Sequence, residues 1–340
     1  MSLHPSVAAV RVAVRRTLAE VVAEQPGGRP APDAAVLVAC SGGPDSLALL
    51  SAAVFESRKV GLRVIGVTID HGLQDESAAH ASRVVAQMAV LGADETASAR
   101  VEVRGGSRGP EAAAREARYA VLDEMAQHFG ALAVLLGHTL DDQAETVLLG
   151  LARGSGGRSL AGMRRRFGHY CRPLLDVTRT DTVTACQVEG IEYWNDPHNI
   201  DPAFARVRVR RKVLPVLEDE LGPGVTGALA RTADQLRADM DLLDQLAQEA
   251  YEDLREPEGL EVKALADLPL ATRHRVLRLA ALEAGAIASE LFHVHVVALG
   301  HLLAARGSGG EVQLPGHVTA YLTSVKEDGR LMFRPTAVQG

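Results

Sequence analysis

Cysteine is scarce in the chain: 340 residues include only Cys40, Cys171 and Cys186, with no CxxC among them. That excludes a disulfide framework and a thiolate metal site. Aromatic residues make up 4%, too few for stacking to be the main device for holding single-stranded nucleic acid. No apolar run approaches the roughly 18–20 residues that cross a bilayer. The first residues lack the basic start, apolar centre and small-residue cleavage site of a secretory signal. A cytoplasmic protein with no membrane partner is expected. Lysine is rare as well: Lys59, Lys212, Lys263 and Lys326 are the only four among 36 basic residues, leaving 32 arginines.

The hydrophobic fraction of 47% and the length together suit two domains with substantial cores. A net charge of −7 looks wrong for a nucleic-acid partner, but the charge is unevenly placed. Residues 151–180 carry Arg153, Arg158, Arg164, Arg165, Arg166, Arg172 and Arg179 against one acid, Asp176. A second basic run holds Arg206, Arg208, Arg210, Arg211 and Lys212, and acidity returns from Asp234 to Glu256. Such asymmetry makes a basic face on an acidic protein.

Near-continuous apolar runs at Ala34–Cys40, Leu62–Ile69, Ala97–Val103 and Ala131–Leu136 alternate with helical patterns near 46–57, 76–91, 110–129 and 141–151. An amphipathic helix over 7–24 precedes them. This rhythm predicts an α/β fold, a Rossmann-like parallel sheet covered on both faces, with ligands at the carboxyl ends of the strands. A short strand is expected near Cys171–Leu175, a helix over 179–189, and helix again in the latter half of the segment between Pro202 and Pro215. A long helix over 226–254 then leads to a small α+β domain. Its expected helices are 270–283 and 290–305, and its strands 311–314, 318–323 and 330–333. The boundary is expected near Pro215–Pro223, dividing the chain into domains 1–217 and 218–340.

The chemistry-bearing segment is Ser41-Gly42-Gly43-Pro44-Asp45-Ser46, between the first strand and its helix. Gly42 and Gly43 let backbone N–H groups approach an anion with no Cβ in the way, and the helix start behind them adds partial positive charge. Ser41 and Ser46 add hydroxyl donors, and Asp45 suits a magnesium ion bridging phosphate oxygens. Neither a Walker GK(S/T) nor a GxGxxG spacing is present. A capped glycine turn is the plain structural alternative. Farther on, Asp142 and Glu145 are three apart at a helix start, so their carboxylates share one face and suit an ammonium ion. Helix capping competes for the same acids and is the preferred reading for Asp141.

The loop resembles the SGGxDS signature of the N-type ATP pyrophosphatases, the PP-loop superfamily. Asp70-His71-Gly72-Leu73, the REARY segment with Arg115 and Arg118, GHTLDDQAET, RPLL and WNDPHNIDPAFARVRVRRKVLP narrow the resemblance. Together they are similar to the tRNA(Ile)-lysidine synthetase family over roughly residues 33–220. The tail 309–335 resembles that family's first C-terminal domain, and the chain resembles the short form without a further one. Two departures stand out: Thr139 replaces a second histidine after His138, and Arg206–Arg210 reads RVRVR where the family has an asparagine.

The resemblance implies a ligase. ATP would adenylate the C2 oxygen of the wobble cytidine in the CAU anticodon of an isoleucine tRNA, and L-lysine would displace AMP through its ε-amine. It implies ATP contacts from Ser41, Gly42, Gly43, Pro44, Asp45, Ser46, His71 and one of Arg115 or Arg118, with Arg118 favoured. Lysine would sit on Asp142 and Glu145, and the catalytic set would be Asp45, Asp142, Glu145 and His138. Magnesium would lie on Asp45, and tRNA phosphates on Arg153, Arg158, Arg206, Arg208 and Arg210. For each arginine, pairing with a protein carboxylate is the alternative. A small-molecule PP-loop synthetase and a module that senses ATP without turnover are the rival functions, and a homodimer stays open beside a monomer.

Overall fold

The strands that alternate with helices assemble around a central β1 (Ala35–Ala39), whose side chains are almost wholly buried. The computed structural model describes residues 3–70, 77–101, 110–154, 156–257, 259–304, 310–323 and 329–336. Two units emerge: residues 1–153 with 162–233, and residues 154–161 with 234–340.

In the first unit, α1 (Pro5–Ala23) precedes β1, and α2 (Pro44–Val60) follows it. The chain continues through β2 (Arg63–Asp70), α3 (Ser77–Val90), β3 (Glu95–Arg100), α4 (Pro110–His128), β4 (Ala131–Leu136) and α5 (Leu140–Ala152). A single turn, α6 (Gly157–Leu160), belongs with the second unit. Then come β5 (Arg166–Phe167), β6 (Tyr170–Cys171), α7 (Arg179–Glu189), α8 (Ala205–Arg208) and α9 (Leu214–Glu220). The sheet order is β3-β2-β1-β4-β6-β5, parallel throughout except for β5 against β6. The chain therefore runs outward from β1 to β3 and returns to β4 on the other side of β1. That reversal opens a crevice at the carboxyl ends of β1 and β4, where ligands bind in sheets of this kind.

Strand alternation sorts β1 between two cores. Val36 and Val38 join α1, α2 and α7 on one face, while Ala35 and Leu37 join Leu122 and Ala126 of α4 on the other. Both faces are covered, so the strands read as continuous apolar runs instead of alternating ones.

The strand expected over Cys171–Leu175 is shorter. β6 stops at Cys171, and Pro173 opens a 3-10 turn through Asp176, since a proline has no N–H for the ladder. Pro215 sits in the first turn of α9, where its missing N–H costs nothing, so the expected linker is helical there. The segment 209–213 between α8 and α9 widens into a π turn.

The second unit takes up α10 (Val225–Leu254) from Asp234 onward. A hairpin of β7 (Arg255–Glu256) and β8 (Gly259–Glu261), too short to show a period in the sequence, precedes α11 (Val262–Asp267), α12 (Leu270–Glu283) and α13 (His293–Ala304). With β9 (Glu311–Leu314), β10 (Val318–Leu322) and β11 (Arg330–Pro335) it forms an antiparallel sheet, order β7-β8-β11-β10-β9.

One ion cluster ties α1 to α2. Glu56 is buried, its carboxylate gripped by Arg15 through two bonds of 2.9 Å and by Lys59 at 2.8 Å. The hydrogen bonds from Arg15 outweigh burial and hold this carboxyl at about 2, below its ordinary 4.5. Because the folded value is depressed, the stabilisation is complete above pH ~4.5 and fades as pH falls toward 2. Glu56→Gln is expected to cost about 1–2 kcal/mol at pH 7, with the gap to wild type closing across that acid window in urea unfolding curves.

Candidate functional site

The crevice is set by how closely two strand ends approach. Ala39 pairs with Leu136, so the loop after β1 lies beside the loop after β4. A Cβ on Gly137 would stand 3.1 Å from the backbone of Ser46, so only glycine lets β4 end against the start of α2. In the loop, Ser46 Oγ donates to the Gly43 carbonyl at 2.9 Å and accepts the Ser41 N–H at 3.2 Å. Gly42 adopts φ +81°. Pro44 opens α2 with Asp45 in its first turn. Ser41, Gly42, Gly43, Pro44, Asp45 and Ser46 thus form one compact turn at a helix N-terminus.

Asp142 and Glu145 lie together on α5, as their spacing predicts. Asp142 Oδ2 accepts the Thr139 N–H at 2.9 Å, so it caps its own helix while Oδ1 faces the crevice. Capping and site placement, alternatives in the sequence, are met by different oxygens of one carboxylate. Asp141 differs from expectation: its carboxylate accepts the Arg179 N–H at 2.7 Å, anchoring α7 instead of capping α5.

The residue that joins the loop to the acid pair is Arg179. Its Nε donates to Asp45 Oδ2 at 3.2 Å and its Nη2 to Asp142 Oδ1 at 2.8 Å, while Nη1 is 3.5 Å from Glu145 Oε1. Thr182, one turn along α7, donates to the other oxygen of Asp45. In the sequence Arg179 stands only as one member of a basic run. The available signal was its place immediately after Thr178, the N-cap of α7, which aims it back toward the sheet.

From the opposite side, Arg210 donates to both oxygens of Glu145, at 2.6 and 3.0 Å, and reaches Asp142 Oδ1 at 3.3 Å. Arg206, one turn earlier, lies 3.7 Å from Glu145 and donates to Thr146 at 3.2 Å. The two face the acids because the segment is helical. Arg208 turns away and donates to the carbonyls of Pro202 and Ala203. Arg153 is exposed at the end of α5, and Arg158, in the second unit, pairs with Asp244 at 2.8 Å.

These contacts divide the carboxyls by acidity. Burial raises Asp45, partly countered by Arg179 and Thr182. Burial also raises Glu145, against the hydrogen bond from Arg210 and with the charge of Asp142 adding to the rise. Asp142 is held at about 2, burial being overcome by Arg179 and the Thr139 N–H. Arg179 is itself raised, burial being outweighed by Asp142, Asp45 and Glu145.

His138, at the end of β4, accepts from Arg172 through Nδ1 at 3.3 Å. Burial, with Arg172, Arg118 and Arg206 nearby, pushes its imidazole down to about 3 against the pull of Asp142. It is therefore neutral at physiological pH, with Nε2–H free to donate. Arg118 lies close enough to act on His138 and is lowered by burial, whereas Arg115 stacks on Tyr119 at 5.1 Å. His71 lies outside the described residues.

Magnesium fits this site only in company. Among the described residues no three acidic, histidine or cysteine side chains form a metal cluster. Three carboxylates already face Arg179 and Arg210, so little charge is left for a lone divalent ion. Phosphates that bring their own negative charge would let Asp45 serve as the single protein ligand, the usual manner of magnesium in nucleotide sites.

Comparison with known proteins finds matches over most of the chain. A family model described as a PP-loop domain matches residues 11–217, and one described as the TilS substrate binding domain matches residues 260–331. A relative from Thermobifida fusca (strain YX), called tRNA(Ile)-lysidine synthase, is 53% identical over 92% of this chain and 94% of its own length. Another of the same name, from Streptomyces coelicolor, is 49% identical over 98% of this chain and 99% of its own length. The U34-tRNA thiolase NcsA from Methanococcus maripaludis shares the fold at 17% identity and a TM-score of 0.55, over 68% of this chain and 79% of that one. Among the described residues no helix is long and apolar enough to cross a membrane.

Arg179→Ala would leave Asp45, Asp142 and Glu145 facing one another around a missing charge. A loss of about 3 kcal/mol at pH 7 is expected. Asp142, held at about 2 in the wild type, contributes stability that is complete above pH ~3.8 and fades only as pH falls toward 2. In the variant the buried acids take up protons instead, so the deficit against wild type should shrink between pH 7 and 4. Urea unfolding across that range checks it, and a constant deficit would refute the electrostatic account.

Proposed function

The chain belongs to the tRNA(Ile)-lysidine synthase family, and from that premise we propose that ATP, L-lysine and the wobble cytidine of the CAU anticodon meet around Arg179. The protein is a ligase that uses ATP to modify isoleucine tRNA. The observation that carries the assignment of roles is the position of Asp142 and Glu145, one helix turn long, beside the Ser41–Ser46 loop at the β1/β4 crevice.

In the first step the C2 oxygen of cytidine attacks the α-phosphorus of ATP, and pyrophosphate leaves with the bonding electrons. Negative charge grows on the leaving group. The Gly42 and Gly43 N–H groups, the Ser41 hydroxyl and the α2 N-terminus suit its stabilisation, with Ser46 holding the loop through the Gly43 carbonyl. Magnesium on Asp45 would neutralise phosphate charge. Arg118 and the Nε2–H of His138 approach from the β4 side and suit the nucleotide, and His71 belongs to the same expectation.

In the second step the lysine ε-amine attacks C2, the C2–O bond breaks, and AMP departs. Free lysine has a pKa near ~10.4, so the amine must shed a proton before it attacks. The two acids divide that work. Asp142, held at about 2, remains a carboxylate and anchors the ammonium. Glu145, raised by burial, is the better proton acceptor. Arg210 now occupies the face of the pair that an ammonium would take, so lysine binds by replacing a guanidinium with its own cation. Arg153, Arg158, Arg206, Arg208 and Arg210 remain the proposed contacts for tRNA phosphate.

AMP release with lysine and an isoleucine tRNA transcript bearing CAU, compared with the same transcript bearing UAU, tests the function. Release that needs both lysine and CAU, with lysine retained on the RNA, is the expected result. Release indifferent to RNA would favour a small-molecule synthetase, and none would favour an ATP sensor. Glu145→Ala should raise the KM for lysine at least about tenfold, as loss of a charged contact does, with the KM for ATP nearly unchanged. Asp45→Asn should abolish pyrophosphate release.

A further inference from the structure

The loop that cradles the phosphates is held from behind by two residues that the reaction itself does not use. His80, on α3, places Nε2 at 3.0 Å from the Ser41 carbonyl oxygen. A carbonyl only accepts, so Nε2 carries the proton. The backbone N–H of Trp194 donates to the Gly42 carbonyl at 2.9 Å. The indole of Trp194, the single tryptophan of the chain, lies against the His80 ring with centroids 4.0 Å apart. Gln87, two turns along α3, donates to the Glu192 carbonyl and ties the same two segments together.

The geometry of the peptide bond turns these contacts into an orientation. In a trans peptide the C=O of one residue and the N–H of the next point in opposite directions. The Ser41 carbonyl and the Gly42 N–H share one such plane, and the Gly42 carbonyl and the Gly43 N–H share the next. Pinning both carbonyls toward α3 and Trp194 therefore aims both N–H groups the other way, where that of Gly43 makes a long bond of 3.5 Å to Ser41 Oγ. The space behind the loop is tight. A Cβ on Gly42 would stand 2.7 Å from Val84 and 3.1 Å from the His80 ring, so the loop rests directly on α3.

We infer that His80 is a positioning residue for ATP, with Trp194 as its buttress: together they fix the two peptide planes whose N–H groups face the phosphates. This rests on the reading of Ser41–Ser46 as the phosphate cradle. A loop free to rotate these planes would present carbonyl oxygens to the phosphates in part of its population, and ATP would bind more weakly. The lysine site, at the start of α5, has no contact with His80 and should not respond.

The test uses the full-length enzyme with a CAU transcript, following pyrophosphate release with ATP varied at saturating lysine, then with the two exchanged. His80→Phe keeps a ring against Trp194 and removes the donor. His80→Gln puts an amide N–H near the position of Nε2. His80→Phe should raise the KM for ATP about five- to tenfold, the scale of one hydrogen bond, with kcat and the KM for lysine within about twofold. His80→Gln should return the KM for ATP to within about threefold of wild type. An unchanged KM for ATP in His80→Phe overturns the inference, and so does an equal rise in both variants or a fall confined to kcat. Wild-type enzyme without ATP-dependent release would overturn the cradle assignment along with it.

Discussion

Everything around the crevice depends on one partly buried guanidinium. Arg179 touches the first turn of α2 through Asp45 and the first turn of α5 through Asp142 and Glu145, while its own N–H is held by Asp141. Three helices that start at the same end of the sheet are thereby tied at their N-termini. Such an arrangement is costly to bury, since each ion loses its hydration, and it persists only where every charge meets an opposite one. The side chain of Glu145 has no exposed surface, so without its arginines it would be driven to the neutral form. An apolar core could join three helices more cheaply. A charged one leaves acidic groups at the place where the proposed function puts cations and phosphates.

The sheet order explains why these groups meet there. Because the chain leaves β1 toward β2 and β3 and returns to β4 on the far side, the loops after β1 and β4 diverge to opposite faces and leave an open cleft between them. α7 then brings Arg179 and Thr182 across, and the helical run from Ala205 adds Arg206 and Arg210 one turn apart. The cleft is floored by backbone and lined by charge, and apolar packing is confined to the two faces of the sheet.

What the sequence made legible was whatever is local. The loop carries its chemistry in six consecutive residues, and the spacing of Asp142 and Glu145 already fixes a shared helix face. β1, β2 and β4 read correctly because burial on both sides leaves them apolar, whereas β3 (Glu95–Arg100), half exposed at the sheet edge, starts two residues before the expected Ala97–Val103. Arg179, His80 and Trp194 were not legible as site residues, because each acts on a segment far away in the chain and none differs locally from a surface arginine, a helix histidine or a loop aromatic. The strand expected at Cys171–Leu175 overran for a related reason: its apolar pattern continues through Leu174 and Leu175, which are buried in a 3-10 turn instead. Hydrophobicity reports burial, and the proline at 173 decides the geometry.

The charge balance of the site also bears on how two differently charged substrates use it in turn. Asp45, Asp142 and Glu145 carry three negative charges when ionised, met by Arg179 and Arg210, with Arg206 at the margin. Under the proposed function, a lysine ammonium would add no net charge by taking the place of one guanidinium, and the released arginine would then face a phosphate. Phosphates would draw on the other pole, the N–H groups and helix start at Ser41–Ser46. Arg179 lies between the two poles, and its contacts with Asp45 on one side and Asp142 on the other make each sense the loss or gain of charge at its neighbour. Arg179 thus links the charge of Asp45 to that of Asp142 without any movement of the sheet that holds them.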